Sequence, residues 1–312
     1  MKTVFLFPGQ GAQYQGMARD LWEASDKVKE LFDFASRKTD MDLQKLLFEG
    51  SEEELKATDK TQIAVTLASL AASLYLKESG ITPHGTAGFS LGEYPALYEA
   101  GVIAYEDIFP LVKRRGELME KASRHVDSDT GKSGMAAVIG LSYDEVLPVL
   151  EELKEDGVYL ANYSSPIQVV LAGKAHGLQK AEKLFEEAGA MKYVQLKVSG
   201  PFHSPLLKEA SDGLRDALEQ MSFSDPQLPV YANASGKRVR TGDEAKDLLV
   251  KQIISTVRWV DEEQAILDDG FDEFLEVGPG KVLAGLWKSF YKKKRCQPAG
   301  SVEAIEKLLE DR

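Results

Sequence analysis

Apolar residues along this chain recur in two ways, as short runs typical of buried strands and as longer stretches with helical spacing. Thr3–Phe7 is a short apolar run that ends at Pro8 and Gly9 and predicts a buried strand. A second, weaker strand pattern covers 86–89 and is followed by a turn at Ser90. Helices are predicted over 21–34, over 61–79, from about residue 91 onwards, and over 106–123. This alternation of strand, turn and helix predicts a parallel sheet covered by helices.

The middle of the chain has a different order of elements. Strand and helix patterns follow one another there as β-α-β-β-α-β, which is the order of a ferredoxin-like unit. The six segments are 135–140, 142–155, 158–162, 168–172, 178–189 and 193–198. The stretch at 127–134, rich in small residues, is the predicted linker into this unit, and Ser199-Gly200-Pro201 leads out of it. We therefore predict an α/β fold with a small ferredoxin-like domain at 133–198, inserted into a larger α/β domain formed by 1–132 and 199–312.

Composition and charge narrow the class of protein. Of the 312 residues, 43% are hydrophobic and 28% are charged, as expected for a globular chain with a core. The net charge of −12 argues against a nucleic-acid binder and requires a local basic patch for any acidic ligand. Cys296 is the single cysteine, which excludes an intrachain disulfide and a Cys-based metal site. No stretch approaches the ~18–20 apolar residues of a membrane span, and the N-terminus lacks a signal cleavage site, so we expect a cytoplasmic protein.

The turn after the second strand carries a candidate nucleophile. Gly88-Phe89-Ser90-Leu91-Gly92 fits G-x-S-x-G, in which a serine sits on a sharp strand-to-helix turn between closely packed backbones. Such a serine is exposed at the start of a helix, where free N–H groups stabilise an oxyanion. An ordinary glycine-rich turn is the alternative.

A serine nucleophile needs a base, and the chain offers four histidines. His84 precedes the strand that delivers Ser90 and is expected at the opposite end of the sheet. His125 and His176 lie in polar surroundings. His203 lies in a loop between two prolines, where the small domain returns to the large one, and domain junctions are common pocket sites. By elimination, His203 is the predicted base.

An arginine occupies an apolar position of the predicted helix at 106–123. Arg115 falls on the stripe formed by Leu111, Val112, Leu118 and Met119. A buried guanidinium is costly unless it is paired, and its planar fork suits a carboxylate. Two interpretations stay open, an internal ion pair with an Asp or Glu and a binding site for a substrate carboxylate.

Three further motifs are weaker. Gly9-Gln10-Gly11 begins like a dinucleotide-binding motif, but Tyr14 stands where the third glycine belongs. The sequence GPGK at 278–281 lacks the rest of a phosphate-binding loop. The basic run at 292–295 ends a predicted helix and is either a solvated helix end or a docking patch.

Taken together, these motifs resemble the malonyl-CoA:acyl carrier protein transacylase family over almost the full chain. The similar segments are FPGQGAQ near the N-terminus, GFSLGEY around Ser90, RRGELM around Arg115, SPIQVVLAG after Asn162, PFH at His203, KQIISTVRW around Gln252, and EVGPGKVLAGL near the C-terminus. The resemblance implies a hydrolase-like core with a parallel sheet and an inserted ferredoxin-like domain.

The resemblance also implies a role for each matching residue. Ser90 would be the acylated nucleophile, His203 its general base and then acid, and Arg115 the clamp for the malonyl carboxylate. Backbone N–H groups of Gln10 and Leu91 would form the oxyanion hole, and the main-chain carbonyl of Gln252 would orient His203. The implied reaction passes malonyl from malonyl-CoA to the phosphopantetheine thiol of holo acyl carrier protein for fatty-acid synthesis.

The implied enzyme needs no metal and no cofactor, because coenzyme A is part of its substrate, and nothing demands more than a monomer. Two positions depart from the family pattern, since Phe89 replaces a histidine and Ser164 replaces a second asparagine. The alternatives are a trans-acting acyltransferase or acyl hydrolase that serves a polyketide synthase, and a non-catalytic scaffold for carrier proteins. A hydrolase has no need of a buried cation at Arg115.

Overall fold

A computed structural model of the chain describes residues 1–127 and 131–312. Residues 128–130, inside the predicted linker 127–134, lie outside the described residues. In chain order the strands are β1 (Thr3–Phe7), β2 (Gly85–Gly88), β3 (Gly134–Ile139), β4 (Val158–Ser165), β5 (Gln168–Gly173), β6 (Lys192–Gln195), β7 (Tyr231–Ala232), β8 (Lys237–Arg238), β9 (Glu273–Glu276) and β10 (Cys296–Pro298).

The helices surround these strands and alternate with them along the chain. They are α1 (Arg19–Ala24), α2 (Asp26–Thr39), α3 (Leu43–Glu49), α4 (Glu52–Lys56), α5 (Thr58–Glu78), α6 (Glu93–Glu99), α7 (Ile108–Val126), α8 (Tyr143–Glu152), α9 (Ala175–Glu187), α10 (Lys208–Glu219), α11 (Gly242–Gln252), α12 (Trp259–Asp268), α13 (Val282–Phe290) and α14 (Val302–Glu310).

The larger sheet is parallel and has the strand order β10-β9-β1-β2. β1 lies in its interior and is buried along its whole length, as expected for a central strand of a parallel sheet. Helix α5 packs behind the sheet and is buried on nearly all sides, so its apolar residues do not form a single stripe. Helix α7 packs against α5 and carries an amphipathic pattern. The helices therefore cover the faces of a buried sheet, and the carboxyl ends of its strands are where a site can form.

The smaller sheet is antiparallel and has the strand order β4-β5-β3-β6. Alternate residues of β3 point to opposite faces, as the pleat requires. Ala136 and Val138 pack with α8 and α9, whereas Met135 and Ala137 join the main core. This strand order is that of a ferredoxin-like unit, so the predicted α/β fold class, a parallel core with a ferredoxin-like insert, is confirmed. The exact domain limits, 133–198 within 1–132 and 199–312, stay a prediction.

Several predicted elements differ from the structure in their bounds. The helix expected over 21–34 is divided into α1 and α2 at Ser25. Ser25 is extended, with φ −136°, and its hydroxyl accepts a hydrogen bond from the Val28 N–H, so it caps a new helix instead of continuing the first. The last strand of the small sheet ends at Gln195 instead of 198. No helix in the described part of the chain is long and apolar enough to cross a membrane.

Candidate active site

Ser90 lies at the carboxyl end of β2, in a short turn of 3₁₀ helix at Ser90–Gly92 that leads into α6. Its φ of 53° is in the left-handed region, which an L-residue adopts at a cost of about 1–3 kcal/mol. The side chain is half-buried at the mouth of the sheet. The structure therefore gives Ser90 the strained strand-to-helix geometry that the G-x-S-x-G pattern predicts.

The two glycines of this motif are required by close backbone contacts. A Cβ atom on Gly88 would lie 1.9 Å from the carbonyl oxygen of Gly92. A Cβ atom on Gly92 would lie 2.0 Å from the carbonyl oxygen of Phe7, at the end of β1. Because both obstacles are backbone atoms, no larger residue fits without moving the strands, and the elbow stays tight.

His203 is the histidine that reaches the nucleophile. It is buried, and its Nε2 atom lies 2.6 Å from Ser90 Oγ. Its Nδ1 atom lies 2.8 Å from the carbonyl oxygen of Gln252. Since a carbonyl only accepts, Nδ1 donates there and Nε2 is left to accept the proton of the Ser90 hydroxyl.

The electrostatic surroundings keep His203 neutral. Burial, together with the positive charge of Arg115, lowers the pKa of His203 to about 3. The hydrogen bond to the Gln252 carbonyl opposes both effects. A neutral imidazole at physiological pH is the form that can act as a general base.

Arg115 is a fully buried cation. Its guanidinium donates to the side-chain oxygens of Gln62 at 2.8 Å and Gln252 at 2.9 Å, and one nitrogen lies 3.4 Å from Ser90 Oγ. It also lies over the ring of Tyr94, 5.1 Å from the centroid. No carboxylate in the described part of the chain forms an ion pair with it, so the interpretation as an internal ion pair is wrong.

The protein stabilises this charge incompletely. Burial lowers the pKa of the Arg115 guanidinium, an effect that the nearby Tyr94 and Glu93 only partly offset. Its Nε atom is buried and has no hydrogen-bond partner within residues 1–127 and 131–312. A buried cation of this kind gains stability from a carboxylate ligand, because the ligand supplies the missing counter-charge.

Gln252, the last residue of α11, joins the three groups. Its carbonyl orients His203, and its side-chain oxygen accepts from Arg115. Its amide nitrogen lies 2.9 Å from the Ser90 carbonyl oxygen and 2.6 Å from a carboxyl oxygen of Glu93. The sequence suggested only the carbonyl contact, and the side-chain contacts are a finding of the structure.

The backbone groups proposed for the oxyanion hole lie at the same elbow. Gly9 packs so close to it that a Cβ there would lie 2.5 Å from the Phe89 carbonyl oxygen. Gln10 follows and lines a cavity of 730 Å³ together with Tyr14 and Val198. Leu91 directly follows Ser90, and its side chain is buried. Their function as donors stays a prediction.

The other histidines lie elsewhere. His84 contacts Thr3 at the start of β1, and because Ser90 follows the carboxyl end of β2, the two lie at opposite ends of the sheet, as predicted. His125 is exposed and contacts Glu209, and His176 is exposed on α9. Within the described residues, no group of three or more His, Cys, Asp or Glu side chains could hold a metal ion.

Comparison with known proteins assigns the chain to a family. The model of the acyl transferase domain matches residues 4–309. The chain belongs to the acyl transferase family. This acyl transferase is 38% identical over 311 residues to malonyl CoA-acyl carrier protein transacylase of Bacillus subtilis, a match that covers 99% of this chain and 96% of the relative.

Solved structures agree with this acyl transferase over the whole chain. MCAT from Streptococcus pneumoniae has a TM-score of 0.94 and 38% sequence identity, and the match covers 100% of both chains. A second structure, PlMCAT with holo AntF, is described as a type II PKS acyl-carrier protein in complex with its malonyl-transacylase. It has a TM-score of 0.94 and 35% identity, and the match again covers 100% of both chains.

Two positions of this acyl transferase depart from the family pattern. Phe89, in place of a histidine, packs edge-on against Trp259 with ring centroids 5.5 Å apart. It thus adds an apolar contact next to the nucleophile. Ser164 is buried in β4, where many members have a second asparagine.

Sequence reasoning missed four polar residues around the nucleophile. Gln62 on α5, Glu93 on α6, Asn233 after β7 and Glu262 on α12 are all buried and hydrogen-bonded in this region. Burial raises the pKa of Glu93 to about 7, and hydrogen bonds from Gln252 and Asn233 oppose that shift. For the three that lie on helices, a usable signal was the one that marked Arg115, a polar residue at an apolar position of a helix; Asn233 lies outside the helices and gave no such signal.

Proposed function

We propose that this acyl transferase moves malonyl from malonyl-CoA to the phosphopantetheine thiol of a holo acyl carrier protein, through a malonyl ester on Ser90, and so supplies fatty-acid synthesis. The position of Arg115 carries the proposal. Its guanidinium nitrogen lies 3.4 Å from Ser90 Oγ, and no carboxylate among residues 1–127 and 131–312 forms an ion pair with it. In a malonyl ester the carboxylate carbon is two bonds beyond the reacting carbonyl carbon, so a short dicarboxylic acyl group fits this separation.

In the first half-reaction Ser90 Oγ attacks the thioester carbonyl carbon of malonyl-CoA. The hydroxyl proton moves to Nε2 of His203, which lies 2.6 Å away. Negative charge develops on the carbonyl oxygen, toward which the backbone N–H groups of Gln10 and Leu91 are proposed to donate. Collapse of this intermediate breaks the C–S bond, and the CoA sulfur leaves with the proton from His203.

In the second half-reaction the carrier thiol attacks the ester carbonyl. His203 Nε2 takes the thiol proton, and the C–O bond breaks as Ser90 Oγ recovers that proton. The malonyl carboxylate also raises the pKa of His203, because its pairing with Arg115 neutralises part of the positive charge that lowers this pKa. A dicarboxylic acyl group thereby makes the imidazole a stronger base than it is in the free enzyme.

The carrier protein is a proposed partner, supported by the complex formed by the similar PlMCAT. Helix α13 connects two cavities that the carrier could contact. Val282 at its start lines the 730 Å³ cavity that Gln10 also lines. Lys288 near its end lines a second cavity, of 480 Å³, together with Lys292, Lys294 and Arg295. Six residues of helix span about 9 Å, so the basic run at 292–295 lies within one helix length of the cavity that Gln10 lines.

Three finer points are part of the proposal. The chemistry uses Ser90 and His203 without a cofactor, coenzyme A being part of the substrate. The cytoplasmic location and the monomeric state predicted from the sequence stay predictions. A role in polyketide synthesis, with the same chemistry on a different carrier, is the alternative, and it is separated only by the choice of carrier.

Intact-mass spectrometry of the enzyme mixed with malonyl-CoA and holo carrier protein tests the function. We expect a malonyl adduct on the wild-type chain that passes to the carrier and is absent from Ser90→Ala. Release of free malonate without a loaded carrier would identify a hydrolase instead. A wild-type chain that malonyl-CoA does not acylate would overturn the proposal, whether or not acetyl-CoA acylates it.

A further inference from the structure

One buried side chain spans the nucleophile turn. Asn233 follows β7, and its Oδ1 atom accepts a hydrogen bond of 2.6 Å from the Ser90 N–H. Its Nδ2 atom donates to the carbonyl oxygen of Gly88 at 2.7 Å. Gly88 and Ser90 flank Phe89, so a single amide joins both ends of the turn from a position 143 residues away in sequence.

The orientation of this amide follows from its partners. A backbone N–H only donates and a carbonyl only accepts, so Oδ1 faces Ser90 and Nδ2 faces Gly88. The second hydrogen of Nδ2 goes to Oε1 of Glu262 on α12, 2.8 Å away. The backbone N–H of Asn233 donates to Glu93, at 3.2 Å. The amide is therefore held on all sides and cannot rotate without losing partners.

Glu262 is an unusual choice of acceptor. It is buried, and its other carboxyl oxygen has no hydrogen-bond partner within the described residues. Burial, followed by the negative charge of Glu93, raises the pKa of Glu262 well above its ordinary value. A carboxyl group in such a place is costly, so a gain elsewhere must offset it.

We infer that Asn233 is a positioning residue that holds Ser90 in its left-handed backbone conformation and so aims Oγ at His203, and that Glu262 fixes the orientation of Asn233. The left-handed φ of 53° is unfavourable for serine, and the Ser90 N–H bond to Asn233 opposes its relaxation. The inference rests on the proposed function in one respect, that Ser90 is the nucleophile.

A merely structural network would behave differently. Loss of Asn233 would then lower the stability of the fold but leave the Ser90 hydroxyl of the folded fraction equally reactive. A positioning role lowers the reactivity of Ser90 in chains that are fully folded. It also lowers kcat with KM for malonyl-CoA nearly unchanged, because Asn233 is fully buried behind the nucleophile turn.

The test measures covalent labelling of Ser90 by a fluorophosphonate, a reagent for activated serines that needs no acyl substrate. Intact mass gives the labelling rate, and circular dichroism confirms that each chain is folded. Asn233→Ala removes the spanning amide, and Glu262→Leu removes only its acceptor. Glu262→Gln restores an acceptor oxygen, and Glu263→Leu is the matched control, since Glu263 is an equally buried neighbour without a hydrogen bond to Asn233 in the described part of the chain.

We expect labelling of Asn233→Ala to be about 100-fold slower than wild type and that of Glu262→Leu about 10-fold slower. Glu262→Gln and Glu263→Leu should remain within about 2-fold of wild type, and kcat for malonyl-CoA should follow the same order. If Asn233→Ala does not fold, Glu262→Leu answers the question alone.

Wild-type labelling rates in both Asn233→Ala and Glu262→Leu would overturn the inference. A wild-type chain that reacts no faster than Ser90→Ala would overturn the inference and the assignment of Ser90 together. Rapid fluorophosphonate labelling without malonyl transfer would instead reject the proposed function and leave the Asn233 comparison valid.

Discussion

Ser90 and His203 meet across 2.6 Å, and both hold a left-handed backbone, with φ of 53° and 57°. Each conformation is unfavourable for an L-residue, so the surrounding structure must enforce both. The strain is concentrated in the two groups that are proposed to exchange a proton. The geometry that makes the pair reactive therefore lowers the stability of the fold.

Two inactive variants of Ser90 measure this strain. Ser90→Ala keeps a Cβ atom in the left-handed conformation, whereas Ser90→Gly removes it, and both lose the hydroxyl. We expect the free energy of unfolding of Ser90→Gly to exceed that of Ser90→Ala by about 1 kcal/mol, despite the greater freedom of glycine in the unfolded chain. Urea denaturation gives both values.

Ser69, a buried serine inside α5, is the matched control, because helix propensity there makes Ala more stable than Gly by about 1 kcal/mol. If the Ala variant were more stable than the Gly variant at both positions, the strain at Ser90 would be contradicted.

Removal of Arg115 should change the acyl selectivity. We expect Arg115→Ala to lower kcat/KM for Ser90 acylation by malonyl-CoA about 100-fold or more, because the substrate carboxylate loses its buried partner. Acylation by acetyl-CoA should stay within about 3-fold of wild type, since an acetyl group has no carboxylate. Quenched-flow intact mass measures both rates.

Arg115→Lys keeps the charge but not the planar fork, so its activity with malonyl-CoA should lie between those of wild type and Arg115→Ala. Arg114→Ala, at the exposed neighbour, should leave both rates unchanged. Equal losses for both donors would reject the assignment of Arg115 as a clamp.

The stability of the fold should depend on pH through His203. The pKa of His203 is lowered to about 3 in the fold from an ordinary value of 6.5. Between these values the unfolded chain binds a proton that the folded chain does not, so the free energy of unfolding falls as pH is lowered from 6.5. We expect this group to contribute a loss of about 2 kcal/mol between pH 7 and pH 5.

His203→Gln should remove that contribution. The difference in free energy of unfolding between wild type and variant, measured by urea denaturation, should therefore change by about 2 kcal/mol between pH 7 and pH 5.

The raised pKa of Glu93 gives a pH dependence of the opposite sign. Because its pKa is raised to about 7 in the fold, from an ordinary value of 4.5, it favours folding at low pH and loses that effect as pH rises to 7. The stability of Glu93→Gln relative to wild type should therefore be greater at pH 7 than at pH 5. An identical pH dependence in all three chains would contradict both shifts.

The basic run at 292–295 should affect the second half-reaction alone. Charge reversal in the double variant Lys292→Glu/Lys294→Glu should lower kcat/KM for the holo carrier about 10-fold at low salt, because the proposed docking is electrostatic. Acylation of Ser90 by malonyl-CoA in the absence of carrier should be unchanged.

The same charge change on α9, in Lys180→Glu/Lys183→Glu, controls for net charge. Equal effects of the two double variants, or a loss in the first half-reaction, would exclude the basic run as the docking surface. Added salt should weaken transfer in the wild type more than in the Lys292→Glu/Lys294→Glu variant.

The local features of this protein can be predicted from its sequence. G-x-S-x-G predicts the turn that exposes Ser90, because only glycine permits the backbone contacts around Gly88 and Gly92. The apolar periodicity of α7 predicts that Arg115 points inward, and the order of strands and helices in the middle of the chain predicts a ferredoxin-like unit. Each of these properties depends on neighbouring residues, so a short stretch of sequence contains it.

Which polar groups meet depends on the tertiary structure. The Ser90 elbow, Arg115, His203, Asn233 and the end of α11 at Gln252 come from five separate segments, and their contacts join residues up to 162 positions apart. Such contacts depend on how loops and helices pack over the carboxyl ends of β1 and β2. No local pattern contains that packing, so the sequence indicated the chemical groups but not the buried network of Asn233, Glu93 and Glu262 that surrounds them.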